Sequence, residues 1–143
     1  MKLYDVISNK LYGSGLPSND NEYSRWDDFD SVVSLTEPFR LRYLENVNYE
    51  KKFNVLKSPI DDFDAPSYEQ GHDICDWIHK ELEQGKKVVI HCFIGRGRTG
   101  TLLACYLIKY CDYSPDEAIK AVRKKNPEAI ETRPQVNFVK NFK

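Results

Sequence analysis

The sequence contains no apolar run near the ~20 residues that a membrane-spanning helix requires. Its opening, Met1-Lys2-Leu3-Tyr4-Asp5, lacks the basic-then-apolar layout of a signal peptide. A cytoplasmic protein with no membrane partner is the expectation. Neither sign of charge is in excess, the formal net charge being −1, so the basic surplus of a general nucleic-acid binder is missing. There is no C-x-x-C pair, and His72, His79 and His91 stand at no zinc-finger spacing from the four cysteines. There is no internal repeat and no linker-like or low-complexity stretch. The 143 residues fit one domain, 1–143, with one core, expected as a monomer.

A chain of this size with apolar helices needs no disulfide staples. Cys75, Cys105 and Cys111 lie among apolar helical residues and read as small buried hydrophobes. Lys120, Arg123, Lys124 and Lys125 read as a solvated helix face. Cys92 stands in a different setting.

The first third of the chain reads as short strands and turns: Leu3–Ile7, Leu11–Tyr12 and a turn over Gly13-Ser14-Gly15-Leu16-Pro17. Asn19–Phe29 fits a helix capped by Asn19 or Asp20. Ser31–Leu35 and Phe53–Leu56 fit strands, and Lys57–Pro66, with its prolines and aspartates, is a loop. Ile74, Trp77, Ile78 and Leu82 give Ser67–Glu83 one apolar helix face, with Ser67 and Gln70 as a capping box and Gly85 as the stop. The Val88–His91 run suits a central parallel strand buried on both faces. Beyond the Gly95–Gly100 turn a helix runs to about Tyr110. Another opens at Ser114-Pro115 with Glu117 as capping partner, and a last helix covers Arg133–Phe142. The order predicts an α/β domain: a central, mostly parallel, twisted sheet of four or five strands with helices on both faces.

The decisive stretch is His91-Cys92-Phe93-Ile94-Gly95-Arg96-Gly97-Arg98-Thr99-Gly100, between a buried strand and a helix. Backbone N–H groups in such a loop converge with the positive end of the helix dipole, which makes an anion site. Its glycines let the backbone curl without Cβ clashes. Cys92 at the loop's start is favoured as the thiolate by the helix and by Arg98, and the thiolate is the nucleophilic form. Arg98 offers a planar fork to two phosphate oxygens, and Thr99 offers a hydroxyl to the sulfur. Together these serve phosphoryl transfer, which needs in-line positioning and stabilised equatorial oxygens.

Two other motifs share these letters. Gly95-Arg96-Gly97-Arg98-Thr99-Gly100 is a literal G-x-G-x-x-G, but the dinucleotide fold then needs a parallel strand ending in an acidic residue. A helix start at Ser114 stands there instead. The nucleotide P-loop needs Lys before Ser or Thr, where this chain has Arg98.

His91-Cys92, five residues, then Arg98-Thr99-Gly100 resembles the signature loop of the cysteine-dependent protein tyrosine phosphatases. The chain is most similar to the small atypical dual-specificity enzymes and the compact archaeal-type tyrosine phosphatases. Gly13–Pro17, Val32–Glu37 and Ile130-Glu131-Thr132 with Gln135 resemble stretches of the same enzymes. The resemblance implies a cysteinyl-phosphate intermediate on Cys92 and a phosphate cradle formed by Phe93, Ile94, Gly95, Arg96, Gly97 and Arg98. It also implies Thr99 beside the sulfur, a water held by Gln135, and a general acid on the Pro59–Pro66 loop. Counting back from Pro66-Ser67 favours Asp62 as that acid, ahead of Asp61 and Asp64; the remaining aspartates cap turns. His91 is expected to order the loop, and Arg96 to recruit a more anionic ligand or face solvent. No metal or other cofactor is implied.

A phosphorylated protein is the implied partner, with phosphotyrosine first and phosphoserine or phosphothreonine also possible. A phosphoinositide or an RNA 5′ end is the alternative substrate, and a phosphoprotein-binding module without turnover is the alternative function.

Overall fold

The computed structural model describes Met1–Lys143. Five strands, β1 (Leu3–Ile7), β2 (Leu11–Ser14), β3 (Ser31–Ser34), β4 (Asn54–Lys57) and β5 (Val88–His91), form one sheet in the order β1-β2-β5-β3-β4. Only β1 runs antiparallel to its neighbour. β5 is central, pairing in parallel with both β2 and β3. This is the predicted α/β arrangement.

The continuous apolar runs of β3 and β5 are explained by burial on both faces. Val33, Val88 and Ile90 enter a larger core beneath α4 (Tyr68–Glu83), α5 (Gly97–Cys111), α6 (Pro115–Lys125) and α7 (Arg133–Lys140). Val32 and Val89 point the other way, into a smaller core with Trp26, Phe29, Leu44 and Tyr49. Neighbouring residues on a strand face opposite sides, so one β-branched run serves two layers.

The second layer departs from expectation. Asn19–Phe29 is not one helix: Asn19 caps a single turn, α1 (Asp20–Tyr23), which passes into a 3₁₀ turn that drops Trp26 into the core. Tyr23, Trp26 and Phe29 recur every three residues, the repeat of a 3₁₀ turn and not of an α-helix. Pro38–Leu41 forms another 3₁₀ turn, followed by α2 (Arg42–Asn46) and α3 (Tyr49–Lys52), split by Asn48 in the left-handed region. The capping box expected at Ser67 is half formed. Ser67 accepts from Gln70 N, but the Gln70 side chain donates to Ser58 Oγ and Pro59 O at 2.9 and 3.1 Å, fastening the start of the aspartate loop to α4. The boxes of Ser114 with Glu117 and of Thr132 with Gln135 are complete. Cys75 and Cys105 are fully buried and Cys111 half-buried, all as free thiols. No helix is long and apolar enough to cross a membrane.

Candidate active site

The signature loop leaves the C-terminal end of β5 and enters α5, where the strand end and the helix N-terminus meet. Its carbonyls are drawn outwards. His91 Nδ1 lies 3.2 Å from Cys92 O, Leu16 N–H donates to Phe93 O at 3.0 Å, and Tyr4 OH donates to Gly95 O at 2.7 Å. Arg96 O accepts from Gly100 N and Ile130 N at 2.9 and 3.3 Å. The N–H groups of Ile94, Arg96, Gly97 and Arg98 make no intramolecular hydrogen bond, while Gly95 N–H donates to Cys92 Sγ at 3.3 Å. In a planar trans peptide C=O and N–H oppose each other, so holding the carbonyls outside turns the donors inside. The result is a cradle for an anion with the sulfur at its base.

Gly95 has φ +88°, and a Cβ there would sit 2.8 Å from the backbone of Ser14 and Gly15. Neither the dihedral nor the space admits a side chain. The Gly13–Pro17 stretch, whose first two residues end β2 instead of forming the expected turn, is therefore part of the site.

Arg98 is 1% exposed. Its Nη1 donates to Glu37 Oε1 at 2.8 Å and Ile60 O at 2.9 Å. Nε makes no hydrogen bond, and Nη2 lies 3.2 Å from Asp62 Oδ1, at ion-pair distance but outside hydrogen-bond geometry. One corner of the guanidinium is thus fixed by the protein, and the edge formed by Nε and Nη2 remains for two oxygens of a ligand. Burial works against the charge of Glu37, but its hydrogen bonds and the Arg98 and Arg40 charges prevail and hold its carboxyl below the usual range. In the sequence Glu37 stands out only as the end of the Val32–Glu37 stretch, because an acid just past a strand carries no signal of its own.

Asp62 lines the cavity together with Cys92, Phe93, Arg98 and Glu131. Asp61 and Asp64 are exposed and make the turn instead: Asp61 O accepts from Asp64 N, and Asp64 Oδ1 from Ala65 N. Thr99 Oγ1 is buried without a hydrogen-bond partner, so its hydroxyl is not on the sulfur in this state. Gln135 is fully buried. Its Oε1 accepts from Glu131 N and Thr132 N, its Nε2 donates to Asp64 O at 3.1 Å, and a Cβ on Gly97 would meet its amide at 2.7 Å. It touches both the signature loop and the aspartate loop. Arg96 neither faces solvent alone nor stands free for a ligand: it pairs with Glu128 at 2.9 Å and Glu131 at 3.9 Å.

His91 lies behind the loop, with Nε2 2.6 Å from Ser34 Oγ, which is 3.0 Å from Tyr49 OH. Burial pushes its pKa down to about 4. An exposed histidine titrates near 6.5, so between these values the unfolded chain binds the extra proton. Stability is then full above pH ~6.5 and falls as pH drops towards 4, by about 3 kcal/mol from this group. Urea titrations at pH 7 and 4.5 should show His91→Asn losing much of that pH dependence relative to the native protein; an unchanged dependence would refute the assignment.

The chain matches the family described as "Polymorphic toxin system, DSP-PTPase phosphatase" over residues 11–112. It is 49% identical over 61 residues to protein tyrosine phosphatase domain-containing protein 1 of Bos taurus, a match covering 43% of this chain but 8% of that protein. It is 34% identical over 116 residues to phosphatidylglycerophosphatase and protein-tyrosine phosphatase 1 of Mus musculus, covering 78% of this chain and 60% of that one. The crystal structure of Tk-PTP in the active form superposes with a TM-score of 0.89 at 37% identity, covering 96% of this chain and 93% of that one. With the loop geometry and these likenesses together, the chain belongs to the DSP-PTPase family of cysteine-dependent phosphatases.

Proposed function

We propose that the protein hydrolyses phosphotyrosine in proteins, with phosphoserine and phosphothreonine as poorer substrates. The observation that carries this reading is the rim of the site. Phe39, Phe63, Phe93 and Ile94 are the exposed large apolar residues of the loops around Cys92, and Arg40 stacks on Phe93 at 4.2 Å. Such a collar suits an aryl phosphate flanked by peptide. Asp61, Asp64 and Glu128 stand exposed beside it. They disfavour an anionic lipid surface, and the pairing of Arg96 with Glu128 and Glu131 removes the charge that a second phosphate would seek.

The Cys92 thiolate attacks phosphorus; the S–P bond forms as the P–O bond to tyrosine breaks, and the Asp62 carboxyl gives its proton to the departing oxygen. Asp62 then takes a proton from water as that water attacks phosphorus. The S–P bond breaks, inorganic phosphate leaves, and the thiolate is restored. In this reading Arg98 holds the equatorial oxygens; Thr99 would steady the leaving sulfur by turning its unpartnered hydroxyl to it, and Gln135 would orient the water after exchanging one of its present hydrogen bonds.

The name of the mouse relative favours one other reading, a phosphatidylglycerophosphate-type lipid. The test is kcat/KM for phosphotyrosine and phosphothreonine peptides against phosphatidylglycerophosphate and a phosphoinositide in vesicles. The phosphotyrosine peptide should lead by about tenfold or more; a lead for either lipid would reverse the assignment. Glu128→Gln with Glu131→Gln should raise kcat/KM for a bisphosphorylated substrate several-fold, by freeing Arg96, and leave the monophosphorylated peptide within about twofold.

A further inference from the structure

The Phe93 and Arg96 carbonyls are held outwards by the backbone N–H groups of Leu16, Gly100 and Ile130, and the Cys92 carbonyl lies against the ring of its own neighbour, His91. Gly95 differs from all three. Its carbonyl is held by two side chains from distant parts of the chain: Tyr4 OH from β1 at 2.7 Å and Asn126 Nδ2, just past α6, at 3.3 Å. We propose that Tyr4 and Asn126 are positioning residues that clamp the Gly95–Arg96 peptide and so aim the Arg96 N–H at the substrate phosphate. The proposal rests on the phosphatase reading of the loop and adds residues outside it.

The chain has no cis peptide bond, so the Arg96 N–H points opposite to the Gly95 carbonyl. Gly95 sits at φ +88°, where its lack of a side chain leaves it free to take other dihedrals. A peptide joined to such a residue can rotate unless its carbonyl is tied. Released, it could turn the carbonyl inwards, replacing a donor in the cradle with an acceptor that repels phosphate.

Three further observations support the clamp. Burial raises the Tyr4 pKa, so its hydroxyl keeps its proton and stays a donor. The Tyr4 ring reaches the loop only because residue 13 is glycine, since a Cβ there would lie 2.7 Å from Tyr4 Cζ. Asn126 is itself buried, and its Oδ1 accepts from Glu128 N at 3.4 Å, which sets which way its amide faces.

The clamp acts on the peptide after Gly95, whereas the N–H that bonds Cys92 Sγ belongs to the peptide before it. Two readouts therefore separate. In Tyr4→Phe, which keeps the ring, inhibition by inorganic phosphate should weaken about fivefold, and in Tyr4→Phe with Asn126→Ala about tenfold or more. kcat/KM for a phosphotyrosine peptide should fall by similar factors. The pH profile of Cys92 alkylation by iodoacetamide should remain that of the native protein. Unchanged phosphate inhibition in the double variant would overturn the proposal. So would an alkylation profile that shifts along with the inhibition, because the side chains would then support the loop as a whole. A native protein inactive on every phosphate monoester would instead refute the phosphatase reading itself.

Discussion

Cys92→Ser is expected to abolish turnover, by on the order of 10⁴-fold or more, while the protein still binds a phosphotyrosine peptide. A serine hydroxyl is not ionised at neutral pH, and no basic side chain is hydrogen-bonded to Sγ to activate it: neutral His91 is turned to Ser34 and to the Cys92 carbonyl. Binding survives because the cradle is made of backbone N–H groups and the Arg98 edge, none of which the substitution touches. Removing the thiolate also removes a negative charge from beneath a dianion, so the peptide should bind at least as tightly as before. Calorimetry on the variant and single-turnover kinetics on both proteins would measure this. Activity near that of the native protein would exclude the covalent route.

Asp62→Ala should lower kcat by about 10²–10³-fold for a phosphotyrosine peptide and by only a few-fold for an aryl phosphate with an activated leaving group. The proton matters only when the leaving oxygen is basic, so the contrast between two substrates isolates acid catalysis from binding. Asp62 also lies 3.2 Å from Arg98 Nη2, and its removal takes a competing carboxylate away from the open edge of the guanidinium. Phosphate binding should therefore improve slightly even as the chemistry slows, splitting kcat from KM. Asp61→Ala and Asp64→Ala, both exposed on the same turn, should change neither substrate's kcat by more than about twofold. If Asp61→Ala shows the leaving-group contrast instead, the acid is one residue earlier.

The chain's own letters carried the α/β class, the central strand Val88–His91, the caps at Ser114 and Ser67, and the run from Cys92 to Gly100. Each is a local property: β-branched residues in sequence, a capping side chain three residues from its partner, glycines where the backbone must bend. The reaction class was legible for the same reason, since nucleophile, cradle and guanidinium lie within one loop. What surrounds that loop comes from distant parts of the chain. Glu37 on Arg98, Tyr4 and Asn126 on Gly95, and Ser34 on His91 are joined across 61, 91, 31 and 57 residues. No periodicity or spacing encodes such pairs, because they meet only when the sheet order β1-β2-β5-β3-β4 brings the strand ends together. The fate of Arg96, paired with two glutamates, and the position of Asp62 beside Arg98, with Asp61 and Asp64 turned to solvent, were decided by packing as well. Local chemistry in the sequence thus determined the phosphoryl-transfer loop, and tertiary contact alone decided how its donors are aimed and what its rim presents to a substrate.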